Sequence, residues 1–333
     1  MVSATPSNST EAAPTCAAAI EPTQPIRIVH GMVVLDAPRV AAVPGRLGEY
    51  EVEARIARGG MGGVFLARER RTRRPVAIKV IDPELAIHPD IVARLRDELE
   101  VSRRARHPGL LEIQAFGRSE EGVPYLVMEF LDGENLGDLL DRGRLELGAA
   151  AAIGAQVASA VAALHAAGVV HCDLKPDNLH VLYQEGLAGW PATKVLDYGV
   201  AQIWGRELED EPSIAGTPAY MAPEQWRGQA VAGSDVYSLG CVLYEMVTGA
   251  PPFGGTLPEL MTSHFEALPL RAAVRRPGLR LDLDRLIGRM LAKDPALRPR
   301  MAEVARSLAL VAQELPSPSW HADTFAWAVL AAG

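Results

Sequence analysis

"VVHCDLKPDNLHVL", residues 169–182, sets His171, Cys172, Asp173, Lys175 and Asn178 between two apolar runs. Pro176 fixes φ and keeps the intervening loop tight. Asp173 and Asn178, five residues apart, offer one carboxylate to accept a proton and one amide oxygen to bind a metal. Lys175 lies between them, where an ammonium can neutralise a phosphoryl group in transfer. A second acid, Asp197 in "KVLDYG", follows a strand-like run and is placed to take further metal positions.

Upstream, "RGGMGGV" separates two strand-like runs and reads as a hairpin whose glycines let backbone N–H groups approach an anion. A Gly-rich turn alone is weak evidence. Lys79 in "VAIK" adds to it, because its neighbours Val76, Ala77, Ile78 and Val80 are apolar and a cation in such a strand needs an anionic partner. In "HPDIVARLRDELEVSRRAR", helical spacing puts Ile91, Leu95, Glu98 and Ser102 on one stripe, so Glu98 points inward toward Lys79. Separately each residue is commonplace. Lys79, Glu98, Asp173, Lys175, Asn178 and Asp197, in this order behind a Gly-rich hairpin, form a set suited to phosphoryl transfer.

The 333 residues, 48% hydrophobic, suffice for one large or two modest cores. A net charge of -8 argues against a nucleic-acid binder, whose affinity rests on clustered Lys and Arg. The local arginine runs "RERRTRRP" and "RLRDELEVSRRARHP" read as solvated faces. Three cysteines, Cys16, Cys172 and Cys241, lack any metal-ligand spacing and indicate no disulfide framework. A reducing cytoplasm is the expected location. No secretory signal and no bilayer-spanning segment is expected. The terminal "TFAWAVLAAG" is about half the length a transmembrane helix needs. It reads as a tail packed on the domain, with membrane contact as the second reading.

Patterning divides the chain in four. Residues 1–46, rich in Ala, Pro, Thr and Ser, read as a disordered or loosely docked arm with one strand-like stretch, "IRIVHGMVVL". Residues 47–131 alternate as an antiparallel meander with one helix. Residues 132–313 turn mainly helical, with helices expected at 147–167, 234–248, 282–293 and 300–313, and 314–333 form a tail. An α+β chain of two unlike lobes, joined near residues 129–135, implies a cleft between them.

The ordered motifs "ARGGMGGV", "VAIK", Glu98 before "HP", "HCDLKPDN", "DYG", "GTPAYMAPE", "SDVYSLG" and "DPALRP" strongly resemble the eukaryotic-type protein kinases, in particular the bacterial serine/threonine kinases. The resemblance covers about residues 50–312 and implies the bilobal kinase fold, a β-rich N-lobe on a helical C-lobe. It implies that Gly59 and Gly62 cover the phosphates of ATP, Lys79 holds its α- and β-phosphates, and Glu98 positions Lys79. Asp173 becomes the base for a protein Ser or Thr hydroxyl, with Asn178 and Asp197 on Mg2+ or Mn2+. Ala57, Val64, Ala77, Met128, His180 and the backbone of Glu129 to Leu131 fall to the nucleotide pocket. Glu224 pairs with Arg298, and Asp235 supports the catalytic loop.

Four departures stand out. Ala57 replaces the first loop glycine, at a cost of about 1 kcal/mol if positive φ is required there. Tyr198 replaces a Phe, His180 an aliphatic residue beneath adenine, and Cys172 an arginine that grips a phosphorylated activation segment. Cys172 reads as a small buried hydrophobe. The acids Glu207, Glu209, Asp210 and Glu211 are candidates to stand in for phosphate, reaching Arg103 or Arg104; Ser213 is the phosphorylation alternative. Two other functions are weighed. A pseudokinase scaffold is disfavoured by the intact Lys79, Asp173, Asn178 and Asp197, and an aminoglycoside-type phosphotransferase by the peptide-receiving "GTPAYMAPE".

Overall fold

Apolar alternation between residues 46 and 129 builds one antiparallel sheet. The computed structural model describes residues 27–29, 32–34, 45–59, 62–197, 202–203 and 216–315. Most of the N-terminal arm and C-terminal tail, Tyr198, the acidic run 207–211 and Ser213 lie outside these. Strands β1 (Arg27–Val29) and β2 (Met32–Val34) pair as a small antiparallel hairpin in the strand-like stretch of the arm. The main sheet begins with β3 (Arg46–Leu47), β4 (Tyr50–Gly59), β5 (Gly62–Glu69) and β6 (Pro75–Ile81). Helix α1 (Pro89–Arg104) intervenes before β7 (Ile113–Arg118) and β8 (Pro124–Glu129). Strand order is β3-β4-β5-β6-β8-β7.

Two-residue periodicity sorts the sheet into two faces. Ala77 and Lys79 pair with Met128 and Leu126 on the face toward α1. Val76, Ile78 and Val127 join Leu47, Ala67 and Tyr125 in a separate small core on the other face. Lys79 is thus the charged member of an apolar face. Gly62 permits the β5–β6 approach, since its φ is +149° and a Cβ there would lie 2.0 Å from the Val80 carbonyl oxygen. Ala57 does not adopt positive φ, so the expected cost of its methyl is absent.

Helix α1 starts with Pro89 in its first turn and buries Val92, Leu95, Glu98, Leu99 and Val101. The buried stripe is therefore rotated from the expected one, with Ile91 and Ser102 only half-buried. Ser102 instead ties α1 to β7, because its hydroxyl accepts the Ile113 N–H at 3.0 Å.

The remainder is mainly helical. It comprises β9 (Gly133–Asn135), α2 (Leu136–Asp141), α3 (Leu147–Ala166), β10 (Val169–Val170), β11 (Leu179–Glu185), β12 (Pro191–Val195) and β13 (Gln202–Ile203). Then come α4 (Ala232–Thr248), α5 (Leu257–Glu266), α6 (Ala272–Arg275), α7 (Leu281–Met290) and α8 (Met301–Glu314). The Ala-rich α3 is long and apolar enough in composition to cross a bilayer, but 72% of its most apolar 18-residue stretch is buried among its neighbours. A helix apolar on all sides belongs at a core, and α3 packs on α4, α8 and β12. Helices α2, α5 and α6 were not expected. Each is short, and α5 is set by a local signal, the reciprocal cap between Thr256 and Glu259.

On α5, His264 is fully buried, its Nδ1 3.0 Å from the Tyr237 hydroxyl and its ring edge-on to Phe253. Burial, helped by the charge of Lys293, pushes its pKa down to about 4. The fold accepts the neutral ring, so this stability is complete above about pH 6.5, the ordinary value, and is lost as pH falls toward the depressed one. We expect about 3 kcal/mol to disappear across that window. Urea unfolding of the wild type and His264→Gln between pH 7 and pH 4 checks this: the variant should lose less stability on acidification.

Candidate active site

The loop after β10 is fastened from below by one carboxylate. Asp235, on α4 and fully buried, accepts the backbone N–H groups of His171 and Cys172, each at 2.9 Å, and lies 2.7 Å from His165 Nε2. Those bonds hold Cys172 at φ +68°, a conformation that L-residues adopt only when their surroundings over-determine it. Gln225 Nε2 donates to the Cys172 carbonyl at 2.6 Å. Cys172 itself is 2% exposed, and its thiol faces the Val170 carbonyl.

Ahead of this anchor the polar side chains converge on Asp173. Thr217 donates its hydroxyl to Asp173 Oδ1 at 2.8 Å and accepts the Lys175 ammonium, also at 2.8 Å. Lys175 also lies 3.0 Å from Asp173 Oδ2. Asn178 donates its amide to the Asp173 carbonyl at 2.8 Å and to Oδ2 at 3.1 Å. Thr217 precedes the turn Pro218–Tyr220, so the "GTPAY" segment is tied directly to the loop.

The same loop is stitched to the strand carrying the second acid. Leu196 donates its N–H to the Asn178 carbonyl at 2.8 Å, and its own carbonyl lies 3.0 Å from His171 Nε2. Asp197 follows at φ +57°, its side chain half exposed. Lys79 Nζ stands 3.4 Å from Asp197 Oδ1 and 2.9 Å from Glu98 Oε1. Burial opposes the Lys79 ammonium, yet the Glu98 and Asp197 carboxylates outweigh it and hold its pKa above the ordinary lysine value. Burial pushes the Glu98 carboxyl up to about 7, against the pull of Lys79. The pair is therefore a desolvated one whose charge depends on both partners staying in place.

Val64, Ala77, Met128 and Leu131 belong to one apolar cluster on the inner face of the sheet and the chain segment after β8. Half-buried His180 pairs across β11 and β9 with Asn135, and its Nε2 has no partner among the described residues. Burial lowers its pKa, so the ring is neutral. Ala57 pairs with Val64 across β4 and β5, and Gly59 with Gly62. The Glu129 carboxylate accepts Lys194 Nζ at 2.5 Å and the Glu112 N–H at 2.8 Å.

Sequence reading missed four contacts, although Thr217 itself, within "GTPAY", counts with Lys175 toward a Ser or Thr acceptor. The bridging hydroxyl of Thr217, the amide of Gln225, the imidazole of His165 and the Lys194–Glu129 pair all join segments more than 40 residues apart. Thr217, Gln225 and Lys194 stood inside or beside quoted motifs, Lys194 as the first residue of "KVLDYG". Arg104, considered as a partner for the acidic run, is paired with Glu100 at 2.6 Å.

Below the "APE" turn, Arg298 is fully buried and clasps Glu224 through two bonds of 2.6 and 2.9 Å. It also donates to the carbonyls of Ala292, Gly233 and Lys293. Removing one partner of such a pair strands the other charge, which costs about 3–5 kcal/mol. Arg298→Ala should lose that much in chemical denaturation; a loss under about 1 kcal/mol would contradict the pair's structural role.

A two-lobed chain with a Lys–Glu pair over an Asp–Lys–Asn loop is the architecture of a phosphoryl-transfer enzyme. The protein kinase domain model matches residues 50–308, and the chain belongs to that family. It is 37% identical over 270 residues to the serine/threonine-protein kinase pkn3 of Myxococcus xanthus, covering 78% of this chain and 49% of that protein. It is 36% identical over 267 residues to PknB of Mycobacterium tuberculosis, covering 78% of this chain and 42% of that protein. The crystal structure of the Mycobacterium tuberculosis PknI kinase domain, a double mutant, superposes with a TM-score of 0.64 at 28% identity, covering 82% of this chain and all of that one. The chain thus spans less than half the length of these curated relatives.

Proposed function

We propose that this chain is an ATP-dependent serine/threonine protein kinase that transfers the γ-phosphoryl group to protein hydroxyls and phosphorylates itself. The observation that carries the reading is a pair of side-chain clusters, Glu98–Lys79–Asp197 and Asn178–Asp173–Lys175, held together by the Leu196 N–H on the Asn178 carbonyl. In it Asp173 accepts the acceptor hydroxyl's proton, Lys175 steadies charge beside it, and Lys79, positioned by Glu98, holds the nucleotide phosphates. Val64, Ala77, Met128 and Leu131 supply apolar walls for the base, with the backbone of Glu129 to Leu131 as its edge contact and His180 as its floor. Gly59 and Gly62 line the phosphate side.

The residues fit a divalent cation. Asn178 spends its amide N–H groups on Asp173, which leaves its amide oxygen as a ligand, and Asp197 keeps a half-exposed carboxylate. Among the described residues no group of three His, Cys, Asp or Glu can hold an ion. Two protein oxygens with nucleotide and water completing the shell suit Mg2+, or Mn2+, better than an all-protein cage. Bound there, the cation offsets the charge of the phosphates. The Thr217 bridge between Lys175 and Asp173 supports a Ser or Thr acceptor, because it ties the peptide-receiving segment to the base.

Incubation with γ-labelled ATP tests this. Label should appear on Ser or Thr of the chain with Mg2+, vanish with excess chelator, and return with Mg2+ or Mn2+. Nucleotide binding without any transfer to the chain or to added protein would favour the scaffold reading instead.

A further inference from the structure

Two ion pairs join the lobes, and both reach β12 or its continuation. Lys79 meets Asp197 just beyond the strand, and Glu129 meets Lys194 within it. The second pair lies where the base is read, because Glu129 closes β8 and opens the hinge. Its carboxylate accepts the Lys194 ammonium at 2.5 Å and the Glu112 N–H at 2.8 Å. Lys194 gives a second bond to the Leu110 carbonyl at 3.2 Å. Side-chain exposure is only 13% for Lys194 and 19% for Glu129, so solvent and salt screen the pair weakly.

The surrounding bonds close into a ring. Leu111 donates its N–H to the Val195 carbonyl at 3.0 Å, and Val195 donates its own to the Gly109 carbonyl at 2.8 Å, so the linker from α1 to β7 lies along β12. That linker leads into Glu112, whose carbonyl accepts the Glu129 N–H at 3.0 Å. Lys194 therefore ties the hinge, the linker and β12 together at one point. In register, Lys194 pairs with His180, the floor residue, and Asp197 follows three residues later. The edge, floor and metal contacts of a nucleotide are thus all spaced from this one residue.

We propose that Lys194 is a positioning residue for the nucleotide, which fixes the distance between the hinge that meets the base and the Asp197 carboxylate that meets the phosphates through the cation. This rests on the reading of the chain as a kinase. The Lys194 ammonium is engaged by Glu129 and Leu110, so it acts through them. A ligand that spans both ends of the cleft binds better when those ends are already held in place, whereas a ligand that uses the base end alone follows the hinge.

Isothermal titration of the full chain with adenosine, and with a non-hydrolysable ATP analogue plus Mg2+, tests it. In Lys194→Met, which keeps an apolar stem and loses the ammonium, affinity for the analogue should fall about tenfold or more, while affinity for adenosine stays within about threefold. Glu129→Gln should show the same split. The double variant should lose no more than about twofold beyond the weaker-binding single variant, since both act through one contact. Equal loss for both ligands, unchanged affinity for the analogue, or additive losses in the double variant would overturn the proposal. So would faster transfer by Lys194→Met at unchanged affinity, because the tie would then be a restraint on lobe movement. A wild type that binds neither ligand would instead remove the kinase reading, and the proposal with it.

Discussion

Lys79→Ala should lower phosphoryl transfer by about 10²- to 10³-fold, the usual effect of deleting one preorganised electrostatic contact in a site closed to water. The lysine is anchored from both lobes, 2.9 Å from Glu98 on α1 and 3.4 Å from Asp197 beyond β12. It is therefore a cross-link as well as a charge, and its loss releases α1 and Asp197 together. Stability should change far less than activity. Glu98 would be left buried and unpaired, but its carboxyl already stands at about 7, and without Lys79 it takes up a proton rather than remaining a stranded charge. Lys79→Arg should not restore the rate, since a planar fork does not fit where a compact ammonium meets two carboxylates. Steady-state kinetics with Mg-ATP, alongside thermal melts of each variant, measure both effects. Transfer within about tenfold of the wild type would remove Lys79 from the reaction.

How much of this site was legible in the sequence depends on how local each signal is. The Lys79–Glu98 pair followed from two periodicities: a strand that put one cation on an apolar face, and a helix that put one acid on an apolar stripe. That inference survives although the stripe itself is rotated, with Val92 and Leu99 buried where Ile91 and Ser102 were expected. Three-residue steps and four-residue steps differ by a fraction of a turn, and Glu98 lies within the buried arc either way. The Asp173–Asn178 loop was legible because its residues are neighbours in the chain. His165 on Asp235, Gln225 on Cys172 and Lys194 on Glu129 were not, since nothing local marks a side chain whose partner arrives from a distant element. The same limit hid the left-handed conformation of Cys172, which its N–H and carbonyl partners impose and its residue type does not suggest. Arg298 and Glu224 were matched by resemblance, but the three backbone carbonyls that make the arginine's site complete had no sequence signature.

Asp173→Asn should reduce transfer by about 10²- to 10⁴-fold, because the amide keeps the shape of the carboxylate and cannot accept a proton. The geometry lets base and scaffold roles be separated. Asp173 receives Thr217 on Oδ1 and both Lys175 and Asn178 on Oδ2. An asparagine can keep the Thr217 bond through its own oxygen, but it turns an N–H toward Lys175 and Asn178, which are both donors. Some loosening of the loop is therefore expected beside the loss of the base. Lys175→Met isolates that part: it removes one donor from Asp173 and Thr217 and leaves the carboxylate in place. If Asp173 acts as the base, Asp173→Asn lowers kcat with little change in KM for ATP, and Lys175→Met is the milder of the two. If Asp173 serves only to hold Thr217 and the peptide-receiving segment, both variants lose activity alike, chiefly through the KM for the protein acceptor. Label retained on Ser or Thr by Asp173→Asn, at more than about a tenth of the wild-type rate, would mean that another group takes the proton. Among the described residues no other carboxylate is tied to both the Lys175 ammonium and the Thr217 hydroxyl, so no obvious substitute base stands beside it.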